Sequence, residues 1–450
     1  MSWKKVKLGD ILKQYRIEHR VDDNKTYKQV SILNDGSVVL RGEKIGKDIG
    51  RKRQFIIDTN KFPNTLIFTR QLLLQGSIGI ASDEVHNCIV TENMPMFSID
   101  TRKINKDFLI LFLKSKVFKS RISEIELSGS AQKSIHEKTF LNLEFFLPPF
   151  QLQKEIVTDF LKLKGSSDVI STELTHQLTL VKKLRQQLLQ DAVQGKLVEQ
   201  NPKDEPASEL LKKIKATLRQ AQGSKKVKEL PPIKPEEIPF EIPEGWVWCR
   251  LGEIGKIIGG GTPSMGNDEY WNGDIPWVSP KDMWTEFVSD TEMKVTPKGI
   301  KESSTNLIPV GSILIVGRSG ILKRKLPVAI NSVECTVNQD MKVIIPHIVK
   351  MNRFLQFMFW GLESIILKEY VKFGMTVHSL KYDVFSQMPI PLPPLAEQIR
   401  IVQKLDELMQ HCNELEASIK ESKSQNEKLL QQVLREALRK EEVEETNVLI

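Results

Sequence analysis

Arg41, Lys44, Lys47, Arg51, Lys52 and Arg53 fall within thirteen residues, RGEKIGKDIGRKR, interleaved with three glycines. Cations at that density, on backbone that can approach a surface closely, are suited to neutralising phosphates and releasing the counterions condensed on a duplex. A basic loop that meets only water is the competing reading. A second cluster, GRSGILKRK, carries Arg318, Lys323, Arg324 and Lys325. Arg70 closes LIFTR as Arg318 closes LIVGR, so each stands where an apolar run of strand character ends. An arginine can donate two hydrogen bonds to guanine, and Gln71 or Gln132 can read adenine. Most polar groups at such surfaces touch water or phosphate instead.

Motifs for catalysis are missing. GGGTPS (Gly259–Ser264) does not run from a strand into a helix with Gly-x-Gly-x-x-Gly spacing, and a turn is the simpler reading. No Gly-x-x-x-x-Gly-Lys-Ser/Thr phosphate cradle occurs. The seven histidines are scattered, without metal-ligand spacing. Leu147–Phe150, LPPF, is similar to the Asp/Asn-Pro-Pro-Tyr loop of amino-methyltransferases, but a leucine stands where a polar group must grip the amine. The chain therefore reads as non-catalytic, binding no cofactor of its own. Cys88, Cys249, Cys335 and Cys412 form no Cys-x-x-Cys pair, which fits a reducing compartment. The opening MSWKKVKLGD lacks an apolar core, and no segment approaches the roughly 20 apolar residues of a membrane span. A soluble, cytoplasmic protein with no membrane partner is expected.

The elements that would position the basic clusters emerge from an internal repeat. At a fixed offset of 245, Leu147, Pro148 and Pro149 fall on Leu392, Pro393 and Pro394, and Gln153 falls on Gln398. Leu184 then meets Leu429, Gln186 and Gln187 meet Gln431 and Gln432, and Ala192 meets Ala437, without a gap. Upstream the match persists with small shifts: Gly129 and Ser134 with Gly374 and Ser379, Phe140 with Phe385, WKKVKLGDI with WVWCRLGEI. One unit, a globular part followed by a long helix, is duplicated.

Each Pro-Pro is a helix start, since proline is tolerated in the first turn and not beyond. Leu174, Leu178, Val181, Leu188 and Ala192, and then Leu408, Leu415, Ile419, Val433 and Ala437, give seams of coiled-coil type, with Lys423 and Asn426 as polar positions on the second. Roughly 46 residues would make a rod of about 70 Å. Gly165-Ser166-Ser167 is a candidate kink. One such helix cannot bury its stripe alone, and the other copy is the available partner. The linker is long enough for either direction, and antiparallel pairing is the more economical. The expected divisions are 1–146 globular, 147–200 long helix, 201–241 linker with a short helix near Ala207–Gln220, 242–391 globular, 392–440 long helix and 441–450 tail. TLIFTR, NCIVTE, GSILIVGR and LPVAIN read as strands, and 105–125 and 351–371 as helices, so the globular parts are mixed α/β.

Charge distinguishes the two copies. Residues 1–147 hold 25 Lys+Arg against 17 Asp+Glu, whereas residues 241–392 hold 16 of each. The net charge of +8 thus sits in the first part of the chain, which favours a polyanion partner there.

LPPLAEQIRIVQKLDEL, LLQDAVQGKLV, IPEGWVWCRLGEI and GGGTPSMGNDEYWNGDIPWVSPKDM together resemble the specificity subunits of type I restriction-modification systems, over essentially the whole chain. The first globular part departs most, with YKQVSILNDG where the second has IPWVSPKDM. The resemblance implies an α/β fold with two mixed α/β target-recognition domains joined by two long antiparallel coiled-coil helices, in an internal pseudo-two-fold repeat. It implies that each domain reads half of a split double-stranded DNA site, and it adds Thr262, Ser279 and Lys281 to the candidate DNA contacts. Its partners are two methyltransferase subunits, which bind S-adenosylmethionine, and two restriction/motor subunits, which use ATP and Mg²⁺. Two copies of one partner need two equivalent docking sites. Pro148, Pro149, Gln186 and Gln187, with Pro393, Pro394, Gln431 and Gln432, are the candidates. A self-sufficient methyltransferase or nuclease, which would need the missing motifs, and a coiled-coil scaffold that binds protein and no DNA are the competing classes.

Overall fold

The computed structural model describes residues 3–123, 134–222 and 230–439. Gly129 and Gln132, together with the tail 441–450, lie outside the described residues. The chain divides into two compact units, one made of 1–175 and 420–450, the other of 176–419.

In the first unit, Lys4–Lys7 pairs antiparallel with Glu144–Leu147, from Lys4 opposite Leu147 to Lys7 opposite Glu144. A four-stranded sheet follows in the order Leu12–Tyr15, Met96–Ile99, Thr65–Phe68, Ile78–Ile80. A five-stranded sheet runs Glu18–Arg20, Arg53–Ile56, Ile89–Val90, Thr26–Ile32, Val38–Ile45, with the last at its edge. The core is phenylalanine-rich: Phe68, Phe97, Phe108, Phe118, Phe140 and Phe145 are all essentially inaccessible. Each is worth about 1.5–3 kcal/mol of burial. The segment expected as one helix, 105–125, contains two, Lys106–Lys114 and Lys116–Ser123. Asn105 caps the first, its side chain accepting from the Asp107 and Phe108 N–H groups. Ser115 breaks the run, because its hydroxyl donates to the Phe112 carbonyl and accepts from the Phe118 N–H.

The second unit repeats the plan. Val247–Arg250 pairs antiparallel with Pro389–Leu392, the strand 245 residues on from Glu144–Leu147. Its five-stranded sheet runs Gly255–Gly259, Met341–Pro346, Ile313–Val316, Val328–Asn331, Phe287–Val288. Helices Asn352–Gly361 and Glu363–Glu369 occupy the place of the helix pair in the first copy. The linker is more ordered than its composition predicts. Ala207–Gln222 is helical, with Ala207, Leu210 and Ile214 buried beside Trp246. Residues 231–237 wrap the guanidinium of Arg250, which is 3% exposed. It donates to the carbonyls of Pro231 (3.0 Å), Pro232 (2.7 Å) and Gln387 (2.6 Å), and to both carboxylate oxygens of Glu237 (2.8 Å each).

The long helices are Phe150–Val193 and Leu395–Arg439, the first unbroken through Gly165. Both starts are locked alike: Gln153 Nε2 donates to the Pro148 carbonyl at 2.8 Å, and Gln398 Nε2 to the Pro393 carbonyl at 2.9 Å. Within the first unit, Asn426 donates to the Ser167 carbonyl (2.9 Å) and Lys423 to the Thr175 hydroxyl (3.3 Å). Within the second, Arg185 donates to Asn413 (2.6 Å) and pairs with Glu416. In the first unit numbers rise on one helix as they fall on the other, so that pairing is antiparallel. Ser167, Arg185, Glu416, Lys423 and Asn426 make much of the seam polar, a device that fixes register. Leu415 is not on the seam. It is 51% exposed, and Cys412, Glu416 and Ile419 take the inward positions.

Candidate nucleic-acid interface

The basic segment of the first unit is an edge strand rather than a loop. Val38–Ile45 pairs with Thr26–Ile32, and from Arg41 to Ile45 every residue is exposed. The register skips Arg41: Val30 faces Leu40, whereas Gln29 faces Gly42. Arg41 is thus the extra residue of a β-bulge, a feature that re-aims a side chain, and Gly42 takes the positive φ of 136° that the bulge requires. Arg41, Lys44 and Lys47 are exposed and have no side-chain ion pair or hydrogen bond among the described residues. Arg51 lies 4.0 Å from Glu92. Lys52 is occupied by Asp23 and the Gly46 carbonyl, and Arg53 by Glu18. The six cations of the cluster therefore divide into three that are available and three that meet an acid of the same unit.

Arg70 is further from availability. Its guanidinium pairs with Glu137, whose Oε1 also accepts from Arg16 (3.2 Å) and Gln14 (3.3 Å). Burial alone would raise the Glu137 carboxyl, but the Arg70 hydrogen bond and the charges of Arg70 and Arg16 hold it below the usual carboxylate range. Gln71 beside it is exposed.

In the second unit the sequence candidates converge. Ser279, Lys281 and Arg318 line one open cleft of about 770 Å³, with Trp277, Asn338, Gln339 and Val377. The backbone N–H and hydroxyl of Ser279 both donate to Asp282 at 2.8 Å, which fixes the turn that presents Lys281. Arg318 and Lys281 are exposed and without side-chain partners among the described residues. Gln339 was not legible in the sequence; the Thr262 hydroxyl donates to its Oε1, and the amide N–H groups of this exposed residue have no partner among the described residues. The glycines of GGGTPS serve this packing. A Cβ at Gly260 would lie 2.1 Å from the Val337 carbonyl oxygen, and the Gly261 carbonyl accepts from the Trp277 indole at 3.0 Å. Lys323, Arg324 and Lys325 are exposed on the following turn and do not line the cleft.

Of the docking candidates, Pro148, Pro393 and Pro394 are buried and Pro149 is half-buried. Gln187 and Gln432 are exposed, donating to Asp191 (2.8 Å) and Glu436 (2.9 Å), themselves 245 residues apart. Gln186 and Gln431 are half-buried. The four cysteines are buried and unpaired, and burial pushes the Cys335 thiol up to about 12. Among the described residues no His/Cys/Asp/Glu group could hold a metal ion, and no described helix is long and apolar enough to cross a membrane.

The family model for the type I restriction modification DNA specificity domain matches residues 1–179 and 243–422. The specificity subunit of the Escherichia coli type I restriction enzyme EcoR124I/EcoR124II is 46% identical over 160 residues, 35% of this chain and 40% of that one. The Escherichia coli EcoAI specificity subunit is 30% identical over 414 residues, 78% of this chain and 66% of that one. The chain thus spans less than two thirds of the length of these relatives. The crystal structure of the HsdS subunit from Thermoanaerobacter tengcongensis shares the fold, with a TM-score of 0.56 at 19% identity and 97% of each chain covered. Two copies of one domain plan, each matched separately by the same family model, place this chain in the type I restriction-modification DNA specificity family.

Proposed function

We propose that the chain is the non-catalytic specificity subunit of a type I restriction-modification complex. Each globular part reads one half of a split, asymmetric site in double-stranded DNA, and the paired helices set the gap between the halves. The observation that carries this reading is that the two copies agree where a shared frame is needed and differ where a base sequence would be read. The strand pairings before the long helices and the Gln153 and Gln398 locks are alike. The first copy presents Arg41, Lys44 and Lys47 on a bulged strand, whereas the second presents Arg318, Lys281, Ser279 and Gln339 in a cleft.

Two methyltransferase subunits are the partners of the helices. Ile170 and Leu415 are 48% and 51% exposed, and Leu184 and Leu429 are 45% and 56% exposed; each pair is related by the offset of 245. Each unit therefore carries one member of each pair, among other exposed apolar residues of the helices, as two equal docking sites require. Gln187 and Gln432 lie on the same frame. S-adenosylmethionine belongs to those subunits, and ATP and Mg²⁺ to two restriction/motor subunits. Genome-wide mapping of adenine methylation, in cells expressing the chain with its methyltransferase subunit, tests the reading. A new split asymmetric motif that vanishes without the chain is expected. An assembled complex that adds no motif would overturn it.

A further inference from the structure

We propose that the hairpin tip 373–377 of the second copy is an apolar wedge that enters duplex DNA at the mouth of the Arg318 cleft. This rests on the reading of the second copy as a DNA-recognition domain and adds a means of contact to it. Val371–Lys372 pairs antiparallel with His378–Leu380, which leaves a five-residue turn from Phe373 to Val377. The same strand pairs on its other side with Arg318–Ser319, so the turn grows from the small sheet that carries Arg318. Met375 is fully exposed, Phe373 58% and Val377 41%.

The tip is held rather than loose. The Gly374 N–H donates to Nδ1 of the buried His378 at 3.3 Å, and the Phe373 ring meets the His378 ring edge-on at 5.2 Å. A Cβ at Gly374 would lie 2.3 Å from the Val377 carbonyl oxygen, so the turn is as tight as glycine allows. A turn that meets only water has no use for three large apolar side chains. The first copy carries Ser128, Ser130 and Gln132 at the positions matching Phe373, Met375 and Val377.

The flanking groups favour DNA over a protein surface. Val377 lines the cleft beside Arg318, Lys281 and Gln339, and Lys372 at the foot of the tip is exposed. Phosphate contacts from these cations orient the domain, and Phe and Met are side chains that wedge between base steps once a groove is engaged.

The test uses the full chain assembled with its methyltransferase subunits, without S-adenosylmethionine. The probe is a duplex bearing the motif found by methylation mapping. 2-Aminopurine is placed in turn at each position of the second half-site, apart from the methylated adenine and its neighbours, where base flipping gives its own signal. The variant is Phe373→Ser with Met375→Ser, the residues of the first copy. Expected are one unstacked position with the wild type that falls silent with the variant, binding about tenfold weaker, and an unchanged salt slope. Equal fluorescence at every position, or affinity within about twofold, overturns the wedge while the motif stands. Loss of assembly without DNA overturns it in favour of a protein contact. An assembled complex that methylates no motif overturns the underlying reading, and the wedge with it.

Discussion

Arg70 and Arg318 close equivalent strands in the two copies, yet their surroundings are opposite. Arg70 is clamped by Glu137, which also gathers Arg16 and Gln14, whereas Arg318 stands free in a cleft. Lys7 and Arg250 make a second such pair, each ending the strand whose register the copies share. Lys7 is exposed, while Arg250 is enclosed by residues 231–237. Backbone equivalence thus persists after side-chain roles have parted. A duplicated fold keeps its frame because hydrogen-bonded registers cannot drift singly, whereas a surface arginine can become a structural brace within one copy.

Replacing Arg250 is the strongest test of that divergence. Arg250→Ala leaves Glu237 and three carbonyls without their donor, and each buried acceptor so orphaned costs about 1–3 kcal/mol. Lys7→Ala in the equivalent place is expected to stay within about 0.5 kcal/mol. Chemical denaturation of the two variants measures both. Glu237 also gives the pair a pH signature. Hydrogen bonding to Arg250 depresses its carboxyl to about 2, so this contribution is complete above the ordinary carboxylate value and is lost as pH falls from about 4.5 towards 2.

The arginine pair comes next. Arg318→Ala is expected to relax sequence preference at one position of the second half-site, at a cost of about 1–3 kcal/mol in binding, with stability unchanged. Arg70→Ala is expected to lower thermal stability and to leave the half-sites as they were. A changed half-site with Arg70→Ala would break the contrast between them. Weaker again is the triple change of Arg41, Lys44 and Lys47 to Ala. Binding should fall evenly across sequences, and the slope of log affinity on log salt should shrink by about 0.9 for each lost phosphate contact. Changing Lys52 and Arg53 instead should move that slope less, since both already meet carboxylates.

The duplication, the helix starts, and strands such as Ile313–Val316 and Val328–Asn331 were legible because they depend on local period and on proline. The Arg70–Glu137 clamp was not, since its partners lie 67 residues apart and neither breaks a pattern. Gln339 was hidden for the same reason: what orients it is Thr262, 77 residues away. The strand character of the basic segment 41–45 was not legible, because charged residues mask strand periodicity, and an edge strand exposed on both faces has none to display. Leu415 was placed on the seam by its apolarity, where polar Glu416, paired with Arg185, is the inward residue. Composition sees hydrophobicity, and a seam specified by ion pairs departs from it.

The smallest expected effect concerns Glu397, which stands where the first copy has Leu152. The carboxyl is 1% exposed and accepts from the Trp246 indole at 3.0 Å and the Gln200 amide at 2.8 Å. Burial raises its pKa, and these two donors only partly oppose the rise. A carboxyl whose folded value lies above its unfolded one lends stability below the unfolded value, and that stability is lost as pH rises through the folded value. Glutamine keeps an acceptor for Trp246 and carries no charge. Glu397→Gln is therefore expected to match the wild type below about pH 4.5 and to melt slightly higher at neutral pH. Melting curves across that range test this. A variant that melts lower at neutral pH would mean that the charge itself, through Arg400, holds the linker to the helix start. The second copy would then have exchanged a leucine for an ionic anchor rather than for a tolerated buried acid.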